Sequence, residues 1–135
     1  MKMRAPTSEE IEELVAFLPK LYAEGFEPVK YTMGGRNPNG VVVLPMVIYK
    51  KVVYEFMDMF VKECWRVPNY RDKAPERMFT DKDVIKTADL DEVKAMLMYC
   101  VRGEHFCNGY LIDMIKDGYI RCLLERLIEL NSDSV

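Results

Sequence analysis

The chain is poor in several residue types on which site chemistry relies. It holds one histidine in 135 residues, so one copy cannot build a centre from several imidazoles, whether a His-rich metal site or a histidine relay. Its four cysteines, Cys64, Cys100, Cys107 and Cys122, contain no C-x-x-C pair, which removes zinc-ribbon and thioredoxin-like spacing. Reduced thiols are expected. No charge-free apolar run approaches the about 18 residues of a membrane span, and Met1-Lys2-Met3-Arg4-Ala5-Pro6 leads into acidic sequence with no apolar signal core. A cytoplasmic chain without a membrane partner is the expectation.

Charge of one sign is also missing. There are 19 basic and 22 acidic residues, net −3, and the segment nets are −1 over 1–49, +2 over 50–86, −2 over 87–99 and −2 over 100–135. Nucleic-acid affinity comes from neutralising many phosphates at once, so the footprint of a general DNA or RNA binder is absent. One segment keeps nucleic acid as an alternative: Arg66, Tyr70, Arg71, Lys73 and Arg77 interleave cations with a ring, beside Lys62 and Trp65, and are diluted by Glu63, Asp72 and Glu76. Rings beside arginines suit single strands. The same composition describes a solvated loop pinned by two aromatics.

Catalytic signatures are lacking as well. There is no G-x-S-x-G elbow, no H-E-x-x-H and no calcium loop, and Gly34-Gly35-Arg36-Asn37-Pro38-Asn39-Gly40 has neither the lysine of a phosphate loop nor dinucleotide-binding spacing. That cluster reads as a turn. No catalytic residue, cofactor or metal is assigned, and the chain reads as a non-enzymatic domain acting through an unknown protein partner or by self-association as a homo-oligomer. Ten methionines suit an adaptable core or a partner-facing seam.

What is present is an ordinary globular balance, half apolar and 30% charged, enough for one core without disulfides. The expected architecture is a single mainly α domain over 1–135, of about five helices with a short β-hairpin or extended excursion near 27–46. Thr7 and Glu10 form a capping box for a first helix. Its apolar stripe runs to Gly25, with a kink or early end expected at Pro19. Val29, Tyr31 and Met33 alternate with polar residues before the turn cluster, and Pro45 limits the strand that follows. From Tyr49 to Cys64 the apolar positions line one face of a helix, with Asp58 and Lys62 in favourable i,i+4 order; residues 65–80 read as an ordered loop. Asp89 and Glu92 open a helix to Arg102, which Gly103 breaks. A second stripe from Phe106 and Cys107 to Ile115 ends at Asp117-Gly118, and a final helix holds Ile120, Leu123, Leu124, Leu127 and Leu130. Helix, Asp117-Gly118, helix has the outline of a DNA-binding pair, but Met114 and the balanced Arg121, Glu125, Arg126 and Glu129 argue against it.

The run Gly40-Val-Val-Val-Leu-Pro45-Met-Val-Ile-Tyr49 to Phe56, then Ala88-Asp89-Leu90, Arg102-Gly103-Glu104-His105-Phe106-Cys107-Asn108-Gly109, Asp117-Gly118 and Leu124-Glu125-Arg126-Leu127 resembles the family known as domain of unknown function 6508, over about residues 40–130. His105 stands where the family pattern usually has arginine. The resemblance implies a shared fold and brings no activity, cofactor or catalytic residue.

The sharpest local cluster is Arg102, Glu104, His105 and Cys107. On a helix His105 and Cys107 point about 200° apart, so they do not grip one ion; Cys107 is expected buried and His105 exposed. A nucleophilic Cys–His pair would need His105 to meet another cysteine across the fold. Arg102, Glu104, Glu125 and Arg126 suggest a charge network locking the last helices. Arg102, Glu104, His105 and Arg126 remain ligand or interaction candidates, because guanidinium forks also suit carboxylate or phosphate, and an enzyme or anionic-ligand sensor around Arg102–Cys107 stays open as an alternative.

Overall fold

The computed structural model describes residues 5–36, 40 and 42–133, so Asn37, Pro38 and Asn39 of the expected turn, and Val41 of the strand expected after it, lie outside the described residues. Seven α-helices and one antiparallel hairpin are found among them: α1 (Ser8–Val15), α2 (Phe17–Leu21), β1 (Val29–Arg36), β2 (Val42–Tyr49), α3 (Lys51–Asp58), α4 (Arg77–Thr80), α5 (Leu90–Phe106), α6 (Tyr110–Lys116) and α7 (Tyr119–Asp133). The fold is mainly α. No helix among the described residues is long and apolar enough to cross a membrane.

The two capping boxes form as the sequence predicts. Thr7 accepts from the Glu10 amide at 3.2 Å and Glu10 from the Thr7 amide at 2.9 Å; Asp89 and Glu92 repeat the exchange at the start of α5. The first helix breaks at Ala16, three residues before Pro19. The reason is steric: a proline ring collides with the carbonyl four residues earlier, here that of Val15, where α1 stops. Gly118, at φ +86°, turns the chain between α6 and α7, a conformation costly for any residue with a Cβ.

Three expectations need correction. Tyr49 is the last residue of β2, paired with Val29, and α3 starts at Lys51 and ends at Asp58. The chain then tightens into 3-10 turns at Met59–Val61 and Glu63–Trp65, which rotates Lys62 away from Asp58; its ammonium meets Glu13 of α1 at 3.1 Å. The stretch 65–80 is wound more than a loop, with a 3-10 turn at Tyr70–Lys73 followed by α4. Finally, α5 runs through Gly103 to Phe106. A glycine lowers helix propensity by only about 1 kcal/mol, and packing overrides it here.

The core is one continuous cluster that every helix enters. Leu14, Phe56, Trp65, Met78, Ile85, Met96, Leu97, Leu111, Ile120, Leu123, Leu124 and Leu127 are wholly buried. Phe17, Phe56 and Phe60 stack edge-to-face at 5.5 and 5.3 Å, a geometry that lets ring edges meet ring faces. α5 lies at the centre, against α6, α7 and the Tyr70–Lys73 turn. Its last two turns therefore decide where functional side chains point.

Candidate functional site

Successive residues of α5 turn by about 100°, so the Arg102–Cys107 run is divided among three directions. Arg102 and His105, with Met98 one turn earlier, line a groove of about 500 Å³. Its far wall is Met57, Phe60 and Val61 from the end of α3 and the first 3-10 turn, and Arg66, Val67, Pro68 and Tyr70 close it. Arg66 and Arg102 thus line one groove with an apolar floor. Among the described residues no carboxylate forms an ion pair with either. The sequence placed Arg66 and Arg102 in separate hypotheses; the fold puts them on one groove.

Glu104 takes a different direction. Its carboxylate accepts from the Tyr49 hydroxyl at 2.7 Å, the Leu111 amide at 3.0 Å, the Gly109 amide at 3.2 Å and the Asn108 side chain at 3.1 Å. Two of these donors lie at the start of α6, whose first amides have no partner within the helix. Glu104 is thus a remote cap, and Tyr49 and Asn108 extend the clamp to β2. Burial, and then the hydrogen bond to Glu104, push the Tyr49 phenol well above its ordinary range. Asn108 continues the link: its Oδ1 accepts from the Val47 amide at 2.6 Å.

The charge network expected of Arg102, Glu104, Glu125 and Arg126 is not formed. Glu125 pairs with Arg121 at 3.6 Å, Arg126 donates to the Ala88 carbonyl at 2.9 Å and lies 3.6 Å from Glu129, and Glu104 serves the clamp. Glu104, Glu125 and Arg126 found partners nearer in sequence or a backbone oxygen, while Arg102 turns to the groove. Arg126 is mostly buried where it bonds Ala88 and is not one of the groove-lining residues.

The third direction holds Gly103, Phe106 and Cys107. Cys107 is exposed, which corrects the expected burial, because α5 continues to Phe106 and so rotates this turn outward. None of the four cysteines lines the groove of His105. Cys64 and Cys100 are buried, and burial pushes the Cys100 thiol up. No group of three or more His, Cys, Asp and Glu residues among the described ones is placed to hold a metal ion.

The basic segment divides too. Arg66 joins the groove, Arg71 donates to the Tyr70 hydroxyl at 3.4 Å, Lys73 is exposed, and Arg77 is held by Glu92 and by the Lys73 carbonyl at 2.6 Å. Arg77 therefore braces α4 against the start of α5. Missed in the sequence were the apolar groove residues Met57, Phe60 and Met98, and the adjacent ring stripe of Tyr99 and Phe106. Their signal was present as i,i+4,i+7 spacing: Met98, Arg102, His105, and one residue on, Tyr99, Gly103, Phe106.

No curated protein and no solved structure matches the chain. A family model matches from residue 6 to residue 133, well beyond the region where the motifs cluster. Over nearly its whole length, then, the chain belongs to the family of unknown function DUF6508.

Proposed function

We propose that this chain is a non-enzymatic binding domain whose groove takes an anionic ligand with an apolar body. The observation behind the reading is that Arg66 and Arg102, neither ion-paired with a described carboxylate, line one groove with Met57, Phe60, Met98 and Val101. The volume, about 500 Å³, falls within the range of small-molecule sites, which are mostly apolar with a few convergent polar groups. Two guanidinium forks supply directional donors for a carboxylate or phosphate, and His105 adds a third nitrogen donor. Binding is favoured over catalysis because His105 has no hydrogen-bonded carboxylate or nucleophile among the described residues to act as a relay.

The test is titration calorimetry with decyl phosphate, with inorganic phosphate as control. Decyl phosphate should bind, and Arg102→Met or Arg66→Met should each weaken it by about tenfold, the scale of one charge-assisted hydrogen bond. Binding that is indifferent to both substitutions, or absent, would sink the reading.

A second reading is supported by Tyr70 and Arg71 beside Arg66, which keep ring and cation chemistry together on this side. A single-stranded dT oligomer that binds more tightly than decyl phosphate, and is released by salt, would replace the small ligand with nucleic acid. Light scattering on the same samples reads self-association. A dimer dispersed by decyl phosphate would make the groove an interface between copies.

A further inference from the structure

The anion-binding groove has a neighbour. Tyr99, Gly103 and Phe106 repeat the spacing of Met98, Arg102 and His105 one residue later, so they lie about 100° further round α5 and face a second recess of about 290 Å³. Tyr70 lines both. The second recess is walled by rings: Tyr70, Tyr99, Phe106 and Tyr110, with Arg71 and Cys107 completing the lining. Among the described residues no carboxylate lines it.

The three tyrosine rings pack on one another, and Phe106 stands free beside them. Tyr99 meets Tyr70 and Tyr110 edge-on, with centroids 6.2 and 6.5 Å apart. The Tyr110 ring is seated against bare backbone at Gly103, where a Cβ would fall 2.3 Å from its Cδ1. Phe106 is uncovered, 75% exposed, and Arg71 lies 5.8 Å from the centre of the Tyr70 ring. An alkyl chain gains only buried area from such walls. A planar π system gains in addition the edge-to-face and cation–π terms that the rings and Arg71 offer.

We infer that the anion held at Arg66 and Arg102 is aromatic, and that its ring crosses Tyr70 into the second recess and lies against the exposed face of Phe106. This rests on the anion-binding reading of the groove. The ligand class is an aryl phosphate or aryl carboxylate with one or two fused rings, the anion in the first recess and the ring in the second. No new bond is made. The site is bipartite because the two stripes are adjacent on one rigid helix.

Calorimetry with 1-naphthyl phosphate and decyl phosphate, which have the same carbon count and headgroup, separates the two ideas. The wild-type protein should bind the naphthyl ester about tenfold more tightly, the scale of one ring stacked on aromatic side chains. Phe106→Ala, at a mostly exposed position, should abolish most of that preference by weakening the naphthyl ester more than decyl phosphate. Arg102→Met should weaken both. Equal or tighter binding of decyl phosphate, still dependent on Arg102, would overturn the aromatic assignment and leave the anion groove standing. A preference that survives Phe106→Ala would overturn the placement of the ring, and failure of both probes to bind would overturn both ideas.

Discussion

Glu104 stands between Arg102 and His105 in sequence, yet its carboxylate faces away from their groove and holds two backbone amides and the Tyr49 hydroxyl. Hydrogen bonds to a charged acceptor contribute more than neutral ones, and deleting the acceptor strands several part-buried donors together. Glu104→Ala should therefore lower the unfolding free energy by about 2–4 kcal/mol, and Tyr49→Phe by about 1–2 kcal/mol. The two losses should overlap in the double variant, because the partners are shared. Arg102→Met, by contrast, removes a side chain with no described ion-pair partner and should change stability by less than about 0.5 kcal/mol. Urea denaturation of the four proteins measures all of this. A Glu104→Ala protein as stable as wild type would dissolve the clamp, and a strongly destabilised Arg102→Met would mean that Arg102 supports structure after all.

At the scale of elements, α5 is where the sequence was both most and least informative. Its start was legible because a capping box is a local code: Asp89 and Glu92 satisfy each other's amides within one turn. Its end was not, since Gly103 looks like a helix breaker until the Tyr110 ring is seen to occupy the space a side chain would need. That partner lies seven positions on, across a turn. The same holds for Tyr49, whose apolar spacing fits α3 but whose hydroxyl belongs to Glu104, 55 residues away. Groove residues Arg66 and Arg102 could each be flagged from the sequence, but their place on one groove depends on long-range packing that periodicity does not encode. Gly103 makes a sharp comparison of magnitudes. In an open helix Gly→Ala stabilises by up to about 1 kcal/mol, whereas overpacking costs about 1–3 kcal/mol. With a Cβ 2.3 Å from the ring, Gly103→Ala should destabilise by a net of about 1–2 kcal/mol. A stabilised variant in thermal unfolding would show that the Tyr110 ring moves aside freely.

For the whole molecule, the buried phenols set an upper pH limit. Burial is the chief cause pushing Tyr22, Tyr49 and Tyr110 up, and the Cys100 thiol with them. In the unfolded chain a tyrosine ionises near pH 10; in the fold these three keep their protons beyond that. The folded state then binds more protons than the unfolded one, so stability falls as pH rises, first above about 8.5 through the Cys100 thiol and then above about 10 through the phenols, and is fully present below both. Urea midpoints should hold between pH 7 and 8 and drop steeply by pH 11. Absorbance at 295 nm should show a fraction of the eight tyrosines ionising only with unfolding. If all of them ionised with the fold intact, the phenols would not be buried as described.

A two-stranded sheet leaves two edges, and each is a template on which another strand can grow. On β2 that edge is occupied at Val47, where the Asn108 side chain accepts from the amide at 2.6 Å and donates to the carbonyl at 3.4 Å. Those are the two bonds an invading strand would have to make. The stretch from Val41 to Tyr49 has no charge at all, which is the composition from which aggregates nucleate. Pro45, which has no N–H to offer, and Asn108, which has already spent its own on Val47, stand as gatekeepers along the most adhesive run of the chain. The turn between α5 and α6 thus covers part of a strand edge as well as holding the helices.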